Sequence, residues 1–190
     1  MLARLAWVAL PLAFCLAGAR ADSYEDGLGR FNRGDFSGAI IELKNALGEN
    51  PKNLSARLLL GQAYIAIKLG AAAEVALRQA RVDGADAALV RPPLGKAYLL
   101  QQKYEVVLDD IAPLGQSKRV DAQIETLRGH AFLGLRELTS AEESFERAIR
   151  LSETPVKPLI GLAQVRLQRD KAQEARVLVK QALALAPNEA

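Results

Sequence analysis

Three features of this 190-residue chain carry side chains capable of chemistry: its single histidine, His130, the adjacent carboxylates Asp109 and Asp110, and its single cysteine, Cys15. A metal ligand or a general base acts only with partners held at a fixed spacing. His130 lies on a helical stretch with no Cys or acidic residue at ligand spacing, so it reads as a polar side chain facing a groove. Asp109 and Asp110 diverge by about 100° on a helix; they cannot share a proton and read as solvated surface. Cys15 has no second cysteine to pair with. No nucleophile elbow, phosphate loop or zincin helix is present. The sequence therefore predicts no catalytic residue, no cofactor and no bound metal, and whatever the chain does must come from a surface.

The elements that build that surface announce themselves by repetition. Gly27, Gly61, Gly95 and Gly129 are spaced 34 apart, and Ala163 falls one period further on. Ala39, Ala73, Val107, Ala141 and Ala175 keep the same spacing, as do Ala46, Ala80, Leu114, Ala148 and Ala182. A fourth register holds Leu43, Leu77, Ile111, Phe145 and Val179. A fixed period in this range is the mark of stacked supersecondary units. Small residues midway along one helix let a second helix approach, and alanines seven apart fall on one stripe of that second helix. Phe31, Ile65, Leu99, Leu133 and Leu167, with Tyr64, Tyr98 and Phe132 one residue earlier, supply apolar bulk. Composition agrees: half of the chain is hydrophobic but only 5% is aromatic, and Ala and Leu are strong helix formers.

Breaks between helices are marked at Gly34-Asp35, Gly70, Asn50-Pro51 and Ala186-Pro187. Pro92-Pro93 falls within the third repeat. Because proline fits only the first helical turn without losing a hydrogen bond, the first helix of that repeat is expected to begin near Arg91 and to be shorter than its siblings. The organisation expected is a 1–21 leader followed by repeats over 22–53, 54–87, 88–121, 122–155 and 156–189.

These registers resemble the tetratricopeptide repeat (TPR), most fully in GDFSGAIIELKNALGENP from Gly34 to Pro51 and again through Gly129, Ala131, Phe132, Ala141, Phe145 and Ala148. The resemblance implies an all-α, right-handed α-solenoid of five TPR helix-turn-helix repeats, with a concave groove lined by the first helix of each. Carried onto this chain, the family geometry places Tyr24, Leu28, Asn32, Leu58, Gln62, Lys96, Thr126, His130 and Gln164 along that groove, a mixture with no strong net charge. A protein or peptide partner is implied. More narrowly, YEDGLGRFNRGDFSGAIIELKNAL, LSARLLLGQAYIAI and PPLGKAYLLQQKYEVVLDDI resemble the N-terminal repeats of TPR proteins of the PEP-CTERM and exosortase system. Those are bacterial envelope proteins associated with exopolysaccharide production and protein sorting. The function expected is a non-catalytic scaffold in the envelope. The alternative is a periplasmic chaperone that binds apolar client segments through Leu28, Phe31, Ile65 and Leu99.

The ends add expectations of their own. Arg4, an apolar run from Leu5 to Gly18 and the Ala19-Arg20-Ala21 site form an export signal cleaved before Asp22, which implies a periplasmic protein. The run is short for a membrane span. Lipid attachment at Cys15 is a second route to the membrane, disfavoured by Phe14 where a small residue is needed. Without Arg4 and Arg20, 23 basic residues face 22 acidic ones, so nucleic acid is not an expected partner. Val179, Leu183 and Leu185 leave the last helix without a polar cap, a surface on which a partner or a second copy could dock.

Overall fold

The computed structural model describes residues 22–186. The leader, Cys15 and Pro187 lie outside the described residues. Ten helices follow in pairs: α1 Ser23–Asn32 and α2 Phe36–Glu49, α3 Leu54–Ala66 and α4 Gly70–Val82, α5 Ala87–Leu100 and α6 Tyr104–Asp110, α7 Lys118–Gly134 and α8 Leu138–Leu151, α9 Val156–Gln168 and α10 Ala172–Leu185. Each helix packs on its neighbours in the chain. Odd-numbered helices also approach one another closely, α1 to α3, α3 to α5, α5 to α7 and α7 to α9, whereas the backbones of even-numbered helices stay apart. The odd helices therefore form the inner, concave layer of a curved stack.

Close approach within each pair rests on the glycine register. A Cβ placed on Gly27 would lie 2.9 Å from Leu43 Cγ, on Gly61 2.6 Å from Leu77 Cγ, and on Gly129 2.6 Å from a Phe145 ring carbon. Leu43, Leu77, Ile111 and Phe145 are each fully buried as a result. Phe145 is held from both sides, since Gly161 of the next pair presses its bare Cα against the same ring. In the fifth pair the register reads Ala163 and Val179, and there Val179 is 40% exposed while Ala163 is buried.

Turns repeat with equal regularity. The C-terminus of every odd helix closes with the two crossed bonds of a Schellman motif, for example Lys68 N–H to Ile65 O at 3.0 Å and Leu69 N–H to Tyr64 O at 2.8 Å. The left-handed residues are Gly34, Lys68, Gln102, Arg136 and Asp170, with φ between 56° and 80°, again 34 apart. Only the first is glycine. Gly70, which the sequence suggested as the breaker of the second pair, is instead the buried first residue of α4; Lys68 takes the turn conformation.

The third repeat is irregular in a different helix from the one expected. α5 starts at Ala87, capped by the Asp86 carboxylate on Ala88 N–H at 2.7 Å, and runs through Pro92 and Pro93 at full length. The prolines forgo bonds to the Ala88 and Leu89 carbonyls, but Val90, Pro92 and Leu94 are buried and keep the helix in place. It is α6 that is short, with seven residues. Pro113 disfavours helical backbone at Ala112, and the chain leaves the helix as a loop. Orphan carbonyls are taken up by side chains: Arg128 donates to Leu108 O at 2.8 Å and to Ile111 O at 3.3 Å, and Arg91 to Ala112 O at 2.7 Å. The buried Asp121 carboxylate accepts Leu114 and Gly115 N–H at 2.7 and 3.0 Å. A further departure is Leu167, expected to supply bulk, which is 55% exposed.

Gly61→Ala is expected to lose about 1–3 kcal/mol through overpacking against Leu77, and Leu77→Val to recover part of that loss in the double variant by clearing volume for the added methyl; a double-mutant cycle on urea unfolding measures the coupling. Lys68→Gly is expected to stabilise by roughly 0.5–1 kcal/mol, the relief of left-handed strain less glycine's entropy cost, readable as a raised unfolding midpoint.

Candidate functional site

The inner layer presents one register along its whole length: Leu28, Gln62, Lys96, His130 and Gln164 occupy equivalent positions on successive odd helices. Tyr24 packs against the core patch around Leu43, Leu58 against the patch around Leu77 and Leu94, and Asn32 and Gln62 are exposed. In the C-terminal half the face deepens into a groove of about 1080 Å³. Of the residues singled out by sequence, Lys96, Thr126 and His130 border it; Tyr24, Leu28, Asn32, Leu58, Gln62 and Gln164 do not.

Three segments build the groove. The first half of α7 forms one wall, the start of α9 forms the other, and the end of α8 with the link after it, Arg150 to Thr154, lies between them. Leu185 and Ala186 at the end of α10 reach its rim. Thr126 turns its hydroxyl back to the Ala122 carbonyl at 2.7 Å, leaving its methyl toward the groove side of the helix. His130 is half-buried and rests edge-on against Phe145, with ring centroids 5.1 Å apart. Burial holds its imidazole below the ordinary histidine range, so at neutral pH it is an uncharged hydrogen-bonding group. Packing around Lys96, and secondarily the Lys157 ammonium, hold its amine below the usual lysine range.

Sequence reasoning missed most of the groove's cations. Lys118, Arg119, Arg150 and Lys157 join Lys96 along the lining, against the single carboxylate Glu153. The period of 34 could not reveal them, because they sit at helix ends, where the repeats differ from one another. The reading of Asp109 and Asp110 also divides. Asp109 is exposed, but Asp110 is half-buried and accepts from Tyr98 Oη at 2.8 Å and Arg81 at 2.7 Å. Burial pushes its carboxyl up, yet those two bonds outweigh it and leave the group below the usual carboxylate range. Burial and Asp110 together push the Tyr98 phenol up to about 12. The cluster fastens α6 to α4 and α5 and faces away from the groove's lining.

Among the described residues no group of three His, Cys, Asp or Glu side chains is arranged to hold a metal ion. No described helix is long and apolar enough to cross a membrane. What the structure does offer is a class of architecture: a curved stack of helical hairpins whose inner face carries an open groove.

Comparison with known proteins gives that class its family. Two family profiles, each described as tetratricopeptide repeat, match residues 31–91 and 126–190, together about two thirds of the chain, and the protein belongs to the tetratricopeptide-repeat family. A thermophilic TPR protein of Thermus thermophilus superimposes with a TM-score of 0.69 at 21% identity, over 88% of this chain and 91% of that one. MamA of MSR-1 gives 0.64 at 23% identity, over 88% and 97%. MamA of Desulfovibrio magneticus RS-1, from its residue 41 to the end, gives 0.64 at 16% identity, over 90% and 99%. At these identities the likeness is one of fold. No curated protein sequence matches the chain.

Because the folded-state pKa of His130 lies below its unfolded value of about 6.5, the folded protein binds fewer protons in the window between the two, and stability falls as pH drops through it. Urea unfolding at pH 7.5 and 5.5 should show that loss in the wild type and a smaller one in His130→Gln. An unchanged difference between the two proteins would remove His130 as its source.

Proposed function

We propose that the protein is a non-catalytic, protein-binding scaffold of the bacterial cell envelope, and that a partner polypeptide lies in the groove between α7 and α9. The groove carries this reading. It lies on the concave face that stacked helical repeats use to hold extended chains. The family supports it as well, since tetratricopeptide repeats generally mediate contacts between proteins. Placement in the envelope rests on the leader from Arg4 to Ala21, whose charged start, apolar run and A-x-A site suit export and cleavage before Asp22. A finer role, supporting exopolysaccharide export or PEP-CTERM protein sorting, rests on the resemblance carried by Tyr24 to Ile111.

Two measurements test this. A photo-crosslinking residue replacing Gln123, in the groove, is expected to capture one discrete partner from envelope fractions, whereas the same residue replacing Ile41, which is 61% exposed on α2, captures none. Equal capture from both positions counts against the groove, and a broad spread of unrelated products from Gln123 points to a chaperone instead. Mass spectrometry of the native protein should find Asp22 at its N-terminus in the periplasm; Met1 retained in a cytoplasmic pool removes the export reading.

A further inference from the structure

The groove gathers cations on one concave surface with little opposing charge. Elsewhere cations are either met locally, as Glu142 faces Arg166 and Arg169, Glu74 faces Lys103 and Arg78, and Asp110 faces Arg81, or stand on exposed surface outside it, as Arg33 and Lys44 do. Over the whole sequence, 25 basic residues stand against 22 acidic ones. Yet five basic side chains line this one groove with a single carboxylate among them. Lys96, Lys118, Arg119 and Lys157 are ion-paired with no described carboxylate, and Arg150 reaches only Glu146 on its own helix, at 3.9 Å. Lys118 and Arg119 stand in the first turn of α7, and Lys157 in the first turn of α9, where the positive end of the helix dipole adds to their repulsion. The free protein thus carries a focused positive potential that a negative ligand relieves.

The apolar lining decides which negative ligand. Ile160 is 42% exposed and Leu185 45% exposed, and both face the same groove together with Val156 and Pro158. A phosphate or sugar chain leaves such side chains uncovered. A single-stranded nucleic acid needs flat rings on which to stack its bases, and the lining holds no Phe, Tyr or Trp, while the one imidazole is packed against Phe145. We infer that the groove holds an acidic polypeptide segment, its Asp and Glu side chains meeting Lys96, Lys157 and Arg119 while an interspersed apolar side chain packs on Ile160 and Leu185. This rests on the protein-binding reading and specifies the chemistry of the partner.

The test is fluorescence anisotropy on the full chain with a short labelled peptide repeating Glu-Asp-Leu, a neutral counterpart repeating Gln-Asn-Leu, and a labelled oligothymidine strand. The acidic peptide should bind at least about tenfold more tightly than the neutral one, and should weaken as salt rises from about 50 to about 500 mM. Lys96→Glu with Lys157→Glu should lose at least about tenfold in affinity for it. Arg33→Glu with Lys44→Glu, which changes the net charge equally on exposed positions outside the groove, should bind as the wild type does. Should the groove double variant fail to fold by circular dichroism, Lys118→Gln with Arg119→Gln at the exposed start of α7 gives the same readout. Equal binding of acidic and neutral peptides overturns the acidic specificity and leaves the protein-binding reading standing. Binding of neither peptide removes both. Tighter binding of oligothymidine, lost in the same variant, overturns the inference in favour of nucleic acid.

Discussion

The stack depends on one contact made in three of its pairs: a bare glycine Cα on an inner helix receives a large apolar side chain from the outer helix, Gly27 under Leu43, Gly61 under Leu77 and Gly129 under Phe145, while Gly95 of the third pair lies closest to Leu127 of the next inner helix. Packed interiors approach crystalline density and tolerate neither gap nor overlap, so the separation of the two helices is set by how much volume meets at that point. Leu43, Leu77 and Phe145 fill it, and all three are fully buried. Helix propensity argues against glycine at these positions by about 1 kcal/mol each, so its recurrence reflects tertiary packing prevailing over local preference. The fifth pair departs from this contact, since Ala163 is buried but Val179 is 40% exposed. From this separation follow the register of neighbouring pairs, the contact of odd helices with one another and the concavity of the inner layer.

Where the rule is interrupted, the structure substitutes polar chemistry. α6 stops at half the usual length, and the backbone groups that a longer helix would have satisfied internally are instead met by the Arg128 and Arg91 guanidiniums and the Asp121 carboxylate. Buried polar groups left unmet cost about 1–3 kcal/mol each, so this set of bonds explains how one repeat departs from the pattern without disrupting the stack. Tyr98 and Arg81 meet at Asp110 for a related purpose, tying the end of the short helix to α5 and α4.

The architecture was legible in the sequence because packing imposes a period on residue type. Small residues recur wherever helices touch, and four registers agree over five units. Features set by backbone geometry were less visible. The left-handed turn residue also recurs every 34 positions, but as Gly, Lys, Gln, Arg and Asp in turn, so residue type conceals a conformation that is strictly periodic. The proline pair drew attention to α5, although burial of Val90, Pro92 and Leu94 holds that helix straight through, whereas the lone Pro113 ends α6. The groove was half legible. Lys96, Thr126 and His130 follow from their register, but the remaining cations come from helix ends, where the repeats diverge and no period guides the eye.

That divergence ties the interrupted helix to the groove. Stacked repeats of equal length present the same face at every step, and a uniform face has no reason to prefer one stretch of a partner over another. Here α6 stops after seven residues, and α7 begins at Lys118 and runs for 17, longer than any other helix of the described chain. The added turn brings Lys118 and Arg119 to the rim of the inner surface. A proline that ends one outer helix thereby breaks the symmetry of the array at a single step, giving an otherwise repetitive molecule a distinguishable place along its length and a polarity from one end to the other.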